Sequence, residues 1–225
     1  MKLFVYEHCP FCVRPRILIG IKSLNLPLCY LANDDEKAHI DRIGVKQVPF
    51  LEKADGSYLV ESLDICRYLD TVNGNAVLKP ASADTRLVDL TQKLAGITRV
   101  LTYPRSLQHP LNAKDFPTPS AKAYLRRKKE ARVGDFKANF IFPEAAIDAA
   151  LALLRALNSL LVYPYATSDQ LSWDDIFVFP ILRNLTQAQD ILSLPQNVSR
   201  YLDRLAEETG VLLYKPHRYE IPDVA

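Results

Sequence analysis

The residues with the clearest chemistry are Cys9 and Cys12 in the run Cys9-Pro10-Phe11-Cys12. Two thiols at this spacing can close a small disulfide. They lie between an apolar run at residues 2–7 and a stretch in which Ile17, Leu18, Ile21 and Leu24 recur at helical spacing. A helix N-terminus in that place points unpaired backbone N–H groups at the first sulfur and favours its thiolate. Cys9 is therefore the expected nucleophile. Cys12, a turn further into the helix, is less exposed and suited to attacking Cys9 in a mixed disulfide. Arg14 and Arg16 each bring positive potential, and the spacing leaves open which of them faces the sulfur. A C-x-x-C pair also supplies two zinc ligands, but a second such pair is missing, so redox use is the preferred reading. Cys29 and Cys66 stand alone among apolar residues and read as small buried hydrophobes. The histidines at positions 8, 39, 109 and 217 have no ligand spacing, although His8 adjoins Cys9 and can modulate it.

Two further places carry polar chemistry. Val48-Pro49 precedes an apolar run where the chain must turn sharply beside the cysteine loop, and a cis X–Pro bond makes such a turn. The Val48 N–H and C=O would then be free to pair with an extended peptide ligand as an added strand. Glu61-Ser62 opens a helix at whose N-terminus Ser62 can cap and free N–H groups can hold a carboxylate. The Glu61 carboxylate can accept from a ligand's ammonium group.

The elements that must position these groups follow from periodicity. Residues 2–7 and 26–32 read as strands, Val13 through Leu24 and 34–44 as helices, and the second helix ends at Gly44. Residues 49–53 and 57–60 form two strands about the turn Ala54-Asp55-Gly56, and 62–72 returns to helical spacing. A βαβ unit followed by a hairpin and a helix has the order of a thioredoxin-like α/β module. Residues 73–82, rich in glycine, proline and small polar groups, read as a linker. Beyond them only helical periodicities appear, at 83–102, 119–133, 143–162, 173–189 and 195–209. The expected organisation is a thioredoxin-like domain over 1–72 and an all-α helical bundle over 83–225. Ser172-Trp173-Asp174-Asp175 has the pattern of a capping box, and the apolar run behind it marks a central helix that Pro180 should kink. Tyr103, Tyr163 and Tyr165 are placed to reach the cleft between the two parts.

Composition narrows the class. The chain has 225 residues, 48% of them hydrophobic and 24% charged, which suits a globular protein with its own core. With only four cysteines and an N-terminus lacking the long apolar run of a signal peptide, a reducing cytoplasm is the expected compartment. No apolar run approaches the ~20 residues that span a bilayer. Basic and acidic residues number 28 and 26, which gives no general pull toward nucleic acid. The densest basic run, Lys122, Arg126, Arg127, Lys128, Lys129 and Arg132, reads as a solvated helix face that can also steer acidic partners.

Taken together, the segments MKLFVYEHCPFC, NDDEK, GVKQVPFL, ESLDICRYLD and LSWDDIFVFPILRNLT resemble the larger, two-domain bacterial glutaredoxins, the glutaredoxin 2 family, which are similar in fold to glutathione transferases. The resemblance extends over both parts of the chain. It implies a glutathione-dependent thiol–disulfide oxidoreductase in which Cys9 forms the mixed disulfide with glutathione and Cys12 resolves it in dithiol reactions. It also implies that Val48, ahead of cis-Pro49, pairs with the cysteine moiety of glutathione, while Glu61 and Ser62 hold the γ-glutamyl end. Glutathione is the reducing co-substrate, glutathionylated or disulfide-bonded proteins are the partners, a monomer is expected and no metal is needed. Pro15 inside the first helix departs from this pattern and bears on the aim of Arg14 and Arg16. A glutathione transferase and a glutathione-ligated iron–sulfur carrier are the alternative readings. The second cysteine argues against the first, and the loop-stiffening Pro10 against the second.

Overall fold

The computed structural model describes residues 1–222. Its first part is a four-stranded sheet flanked by helices, formed from β1 (Lys2–Val5), α1 (Pro10–Ile21), β2 (Leu28–Tyr30), α2 (Glu36–Ile43), β3 (Phe50–Glu52), β4 (Tyr58–Leu59) and α3 (Ser62–Thr71). Strand order is β2-β1-β3-β4, with β1 parallel to β2 and antiparallel to β3. This is the thioredoxin-like order expected from the sequence. The hairpin turns at Gly56, whose φ of 80° is costly for a side-chain-bearing residue. Gly44 ends α2 in the left-handed conformation, as anticipated.

The strands are shorter than the apolar runs that announced them, because burial continues past the last ladder hydrogen bond. Tyr6 and Glu7 are buried but lie in the loop after β1. At α1 the error runs the other way. The helix starts at Pro10 and not at Val13, since proline at the first helical position loses no hydrogen bond and already has the right φ. It also continues through Pro15.

The second part comprises α4 (Arg86–Ser106), α5 (Pro119–Val133), α6 (Phe136–Ile141), α7 (Glu144–Leu160), α8 (Trp173–Leu185) and α9 (Gln196–Thr209). Five of these match expected helices. The sixth, α6, has only six residues and was not anticipated, although Asp135 caps it by accepting from the Ala138 amide at 2.6 Å. The capping box at α8 is present, with Asp175 accepting from the Ser172 amide at 2.8 Å. Helix α8 includes Pro180, ends at Leu185 and gives way to a 3₁₀ turn over Thr186–Ala188, so it is shorter than the expected span. The segment between α3 and α4 is tied down as well. Lys79 bridges Ser172, donating its amide to the Leu171 carbonyl and accepting from Trp173. No helix among the described residues is long and apolar enough to cross a membrane.

One continuous core joins the two parts. Helix α1 packs on α3 at one side and on α8 and α9 at the other, so Val13, Ile17 and Leu18 share a cluster with Phe179, Leu182 and Leu205. The closest approach is at Gly20, where a Cβ would stand 2.0 Å from the Thr209 carbonyl oxygen on α9. Backbone cannot yield as a side-chain tip can. Gly20→Ala is therefore expected to lower stability by roughly 1–3 kcal/mol through overpacking, read as a reduced urea midpoint. An unchanged midpoint would show that α9 does not press on α1.

Candidate active site

Cys9 occupies the N-cap of α1 in extended conformation, and its carbonyl accepts the first helical bonds from Cys12 (3.1 Å) and Val13 (3.3 Å). This geometry leaves the amides near the helix start free to face Sγ. Cys9 is half-buried, whereas Cys12 is 0% exposed. The Cys12 thiol donates to Cys9 Sγ and is the largest influence on it. Burial opposes that effect, and the positive charge of protonated His8 with the Cys12 and Phe11 amides adds to it. The result is a Cys9 pKa lowered to about 7. Cys12 moves the opposite way: burial, its bond to Cys9 and the Cys9 charge push its pKa well up, although it accepts from the Tyr6 amide at 3.4 Å. The half-buried sulfur of Cys9 is thus the readier to ionise, and its wholly buried neighbour is held as a thiol.

The cysteine loop is held from the helical part of the chain. Asp115, wholly buried between α4 and α5, accepts from the amides of Glu7 (2.9 Å) and His8 (3.0 Å) and from His8 Nδ1 (2.6 Å). Asn184 on α8 donates to the His8 carbonyl at 2.7 Å, and Arg183 donates to the Glu7 carbonyl at 2.8 Å. The Glu7 carboxylate pairs with both Arg183 and Arg16, and accepts from the Tyr30 hydroxyl at 2.8 Å. Burial alone would raise the Glu7 pKa, but Arg183 and then Arg16 outweigh it and hold the carboxylate below its ordinary range. Arg16 therefore serves this buried ion pair. Arg14 turns toward α3, donates to Ser62 Oγ at 3.1 Å, and lies over the Phe11 and Phe177 rings.

The Val48–Pro49 peptide is cis. Val48 and Cys9 line one cleft of about 600 Å3 between the two parts of the chain, together with Tyr6, His8, Phe11 and Gln47. Pro49 is buried behind Val48. Neither the amide nor the carbonyl of Val48 bonds to another described residue. Glu61 and Ser62 lie outside the cleft wall and reach it through neighbours: Gln47 Nε2 donates to Glu61 at 2.9 Å, and Arg14 joins Ser62 to the cysteine helix. The expected cap at Ser62 is corrected. Glu61 takes the N-cap with φ 66° and no side-chain cap bond, and Ser62 is the first residue of α3. A left-handed non-glycine residue costs on the order of 1–3 kcal/mol and is held only where its surroundings fix it.

Other expectations divide. Tyr103 lines the cleft, but Tyr165 is drawn to Glu208 by a 2.8 Å hydrogen bond and Tyr163 is exposed, so neither reaches it. The basic run is not one solvated face, because Lys128, Lys129 and Arg132 on α5 line the same cleft as Cys9. Cys66 is buried and its pKa is pushed up to about 12, while Cys29 is half-buried in β2. Sequence reasoning missed Glu7, Gln47, Asp115, Arg183 and Asn184. Glu7, Gln47, Arg183 and Asn184 lie within segments that carry the resemblance, which does not single them out, and nothing local marked Asp115.

Known proteins resemble this arrangement over nearly the whole chain. Residues 87–217 match the family described as glutaredoxin 2, C-terminal domain, and residues 3–76 match glutathione S-transferase, N-terminal domain. Glutaredoxin 2 of Escherichia coli K12 is 37% identical over 213 residues, covering 95% of this chain and 97% of that protein. The crystal structure of Salmonella typhimurium glutaredoxin 2 in complex with glutathione is 37% identical, with a TM-score of 0.87 over 94% of this chain and 95% of that one. Saccharomyces cerevisiae Gtt2, 19% identical with a TM-score of 0.59 over 94% of this chain and all of its own, shares the fold.

Two measurements test the site. Alkylation of Cys9 should rise with pH about a midpoint near 7, since only the thiolate reacts; a midpoint at the free-thiol value of about 8.5 would contradict the helix-terminus environment. Glu7→Gln leaves Arg183 buried with an uncompensated charge and should cost about 3–5 kcal/mol in denaturant unfolding. A cost below about 1 kcal/mol would mean that the pair is effectively solvated.

Proposed function

The chain belongs to the glutaredoxin 2 family and is a glutathione-dependent thiol–disulfide oxidoreductase, and we propose that Cys9 is its nucleophile and Cys12 its resolving thiol. The asymmetry of the two thiols carries this assignment: Cys9 is half-buried with its pKa lowered to about 7, and Cys12 lies beneath it with its pKa raised. The lowered pKa enriches the Cys9 thiolate at neutral pH over the few per cent of an ordinary cysteine.

In the monothiol cycle, Cys9 thiolate attacks the glutathione sulfur of a protein–glutathione disulfide. The old S–S bond breaks, the protein thiolate leaves and takes a proton, and a Cys9–glutathione disulfide remains. A second glutathione thiolate attacks the glutathione sulfur of that disulfide, which releases oxidised glutathione and restores Cys9. With a protein disulfide, Cys9 thiolate first bonds one protein sulfur as the protein S–S bond breaks, and the other protein sulfur leaves as a thiolate that takes a proton. Cys12 then loses its proton, attacks Cys9 Sγ and expels the protein thiol, and two glutathione molecules reopen the Cys9–Cys12 disulfide.

The unpaired backbone of Val48, beside cis-Pro49, would pair with the cysteine moiety of glutathione as an added strand. At the start of α3 the free Ser62 amide would hold the γ-glutamyl carboxylate, and the Glu61 carboxylate its ammonium group. Gln47 and Arg14 link these groups to the cleft. That the Salmonella relative was solved in complex with glutathione supports glutathione as the ligand. The glutathione transferase and iron–sulfur alternatives are not adopted: a buried second thiol beside the first serves disulfide exchange, and Pro10, the first residue of α1, stiffens the backbone next to the cysteine that would have to serve as a single ligand.

We further assign residues 1–72 to the glutaredoxin domain, 73–82 to a linker and 83–225 to the helical domain, supported by the end of α3 at Thr71 and the start of α4 at Arg86. The partners would be glutathionylated or disulfide-bonded proteins. The cytoplasm is the compartment proposed, because a reduced dithiol persists there. A monomer is the state the family resemblance supports.

Cys9→Ser is expected to abolish reduction of a glutathione mixed disulfide, while Cys12→Ser retains it within roughly tenfold and loses reduction of protein disulfides. Turnover by Cys9→Ser would reject the nucleophile, and its loss in Cys12→Ser would reject the monothiol cycle.

A further inference from the structure

Among the described residues, the cleft beside Cys9 is lined by the cations Lys46, Arg99, Lys128, Lys129 and Arg132 and by no carboxylate. Two of them have local partners. Lys46 donates to the Asn33 carbonyl and lies 3.5 Å from the Tyr124 ring, and Lys128 pairs with Glu36 at 3.7 Å. Arg99 from α4 and Lys129 and Arg132 from α5 make no ion pair among the described residues. Lys129 is half-buried, its ammonium 5.3 Å from the Tyr103 ring. Burial and the charges of Arg132, Arg99 and Lys128 lower its pKa, while the Cys9 charge works the other way. The three groups therefore share one field with the nucleophile. Lys129 is half-buried while Arg99 and Arg132 are exposed, so the three like charges repel one another around the empty cleft, and an entering anion relieves that repulsion.

The other wall, with the free Val48 backbone, is the one assigned above to glutathione. The cationic wall faces whatever the glutathione is bonded to. Because Cys9 is half-buried at the base of a cleft of about 600 Å3, the reacting disulfide must enter on an extended segment and not on a flat folded surface. We propose that Arg99, Lys129 and Arg132 form a subsite for carboxylate side chains flanking the substrate cysteine, so that the enzyme selects extended, acidic peptide segments bearing a glutathione mixed disulfide. This rests on the assignment of Cys9 as nucleophile. In the step concerned, Cys9 thiolate bonds the glutathione sulfur, the glutathione–peptide S–S bond breaks, and the peptide leaves as a thiolate that is protonated by solvent. Its departure frees the subsite for the next segment.

The test is a single-turnover reaction of excess pre-reduced protein, without added glutathione, on two glutathionylated peptides of equal length. One has Asp and Glu beside the cysteine and the other has Lys. The acidic peptide is expected to react on the order of tenfold faster at low ionic strength. The difference should collapse in about 1 M salt, where the Debye length is about 3 Å. It should also collapse in the combined Arg99→Gln, Lys129→Gln, Arg132→Gln variant. Equal rates in the wild type overturn the subsite and leave Cys9 as nucleophile standing, as does a preference that survives both salt and the triple substitution. Failure of both peptides to react overturns the Cys9 assignment and the subsite with it. The salt arm uses unaltered protein, so the outcome does not depend on how the variant folds.

Discussion

The loop from Tyr6 to His8 brings buried backbone to the join between the sheet and the helical bundle, and a buried peptide group must find a partner there or lose more than a kilocalorie per mole. Residues of the helical part of the chain supply every partner named here. Asp115 takes the two amides, while Arg183 and Asn184 take the two carbonyls. The Glu7–Arg183 ion pair closes the set, with both groups almost wholly buried. Replaced by apolar groups it would not necessarily lose stability, but broken at one partner it leaves a charge without solvent. The next residue in the chain is Cys9. The position of the reactive sulfur thus depends on contacts made more than a hundred residues away.

From that anchor the difference between the thiols follows. With the loop fixed, α1 begins at Pro10 with Cys9 at its N-cap, and Cys12 is carried to a place that water does not reach. The His8 ring is locked by Asp115, so it acts on Cys9 from a fixed place. Arg16 is committed to Glu7, and Arg14 is committed to Ser62. The same packing aligns α4 and α5 so that their cations line the cleft through which a disulfide would reach Cys9.

Much of this was legible in the residues. The βαβ-ββα order, five of the helices, the capping box at Ser172 and the redox pair all depend on neighbours within a few positions, where periodicity and cap chemistry act directly. The start of α1 was misplaced because proline was read as a loop residue when it stood at the first helical position. Helix α6 escaped because six residues give too little periodicity. Reading Lys122 to Arg132 as a single solvated face failed because a helix packed on one side by α4 and bordering a cleft on another offers its charges different surroundings at successive turns.

What the sequence determined by itself, then, is the chemistry: a Cys-x-x-Cys pair at a helix start, a proline turn before a strand, and a polar helix opening. These are local arrangements, set by backbone geometry over a handful of residues. Only the tertiary structure decided which groups serve the sulfur. Asp115, Arg183 and Asn184 have no signature of their own; each became part of the site because burial at the join between the two parts made an unpaired peptide or charge too costly to leave. Residue type fixed what could react, and long-range desolvation fixed where it stands and what surrounds it.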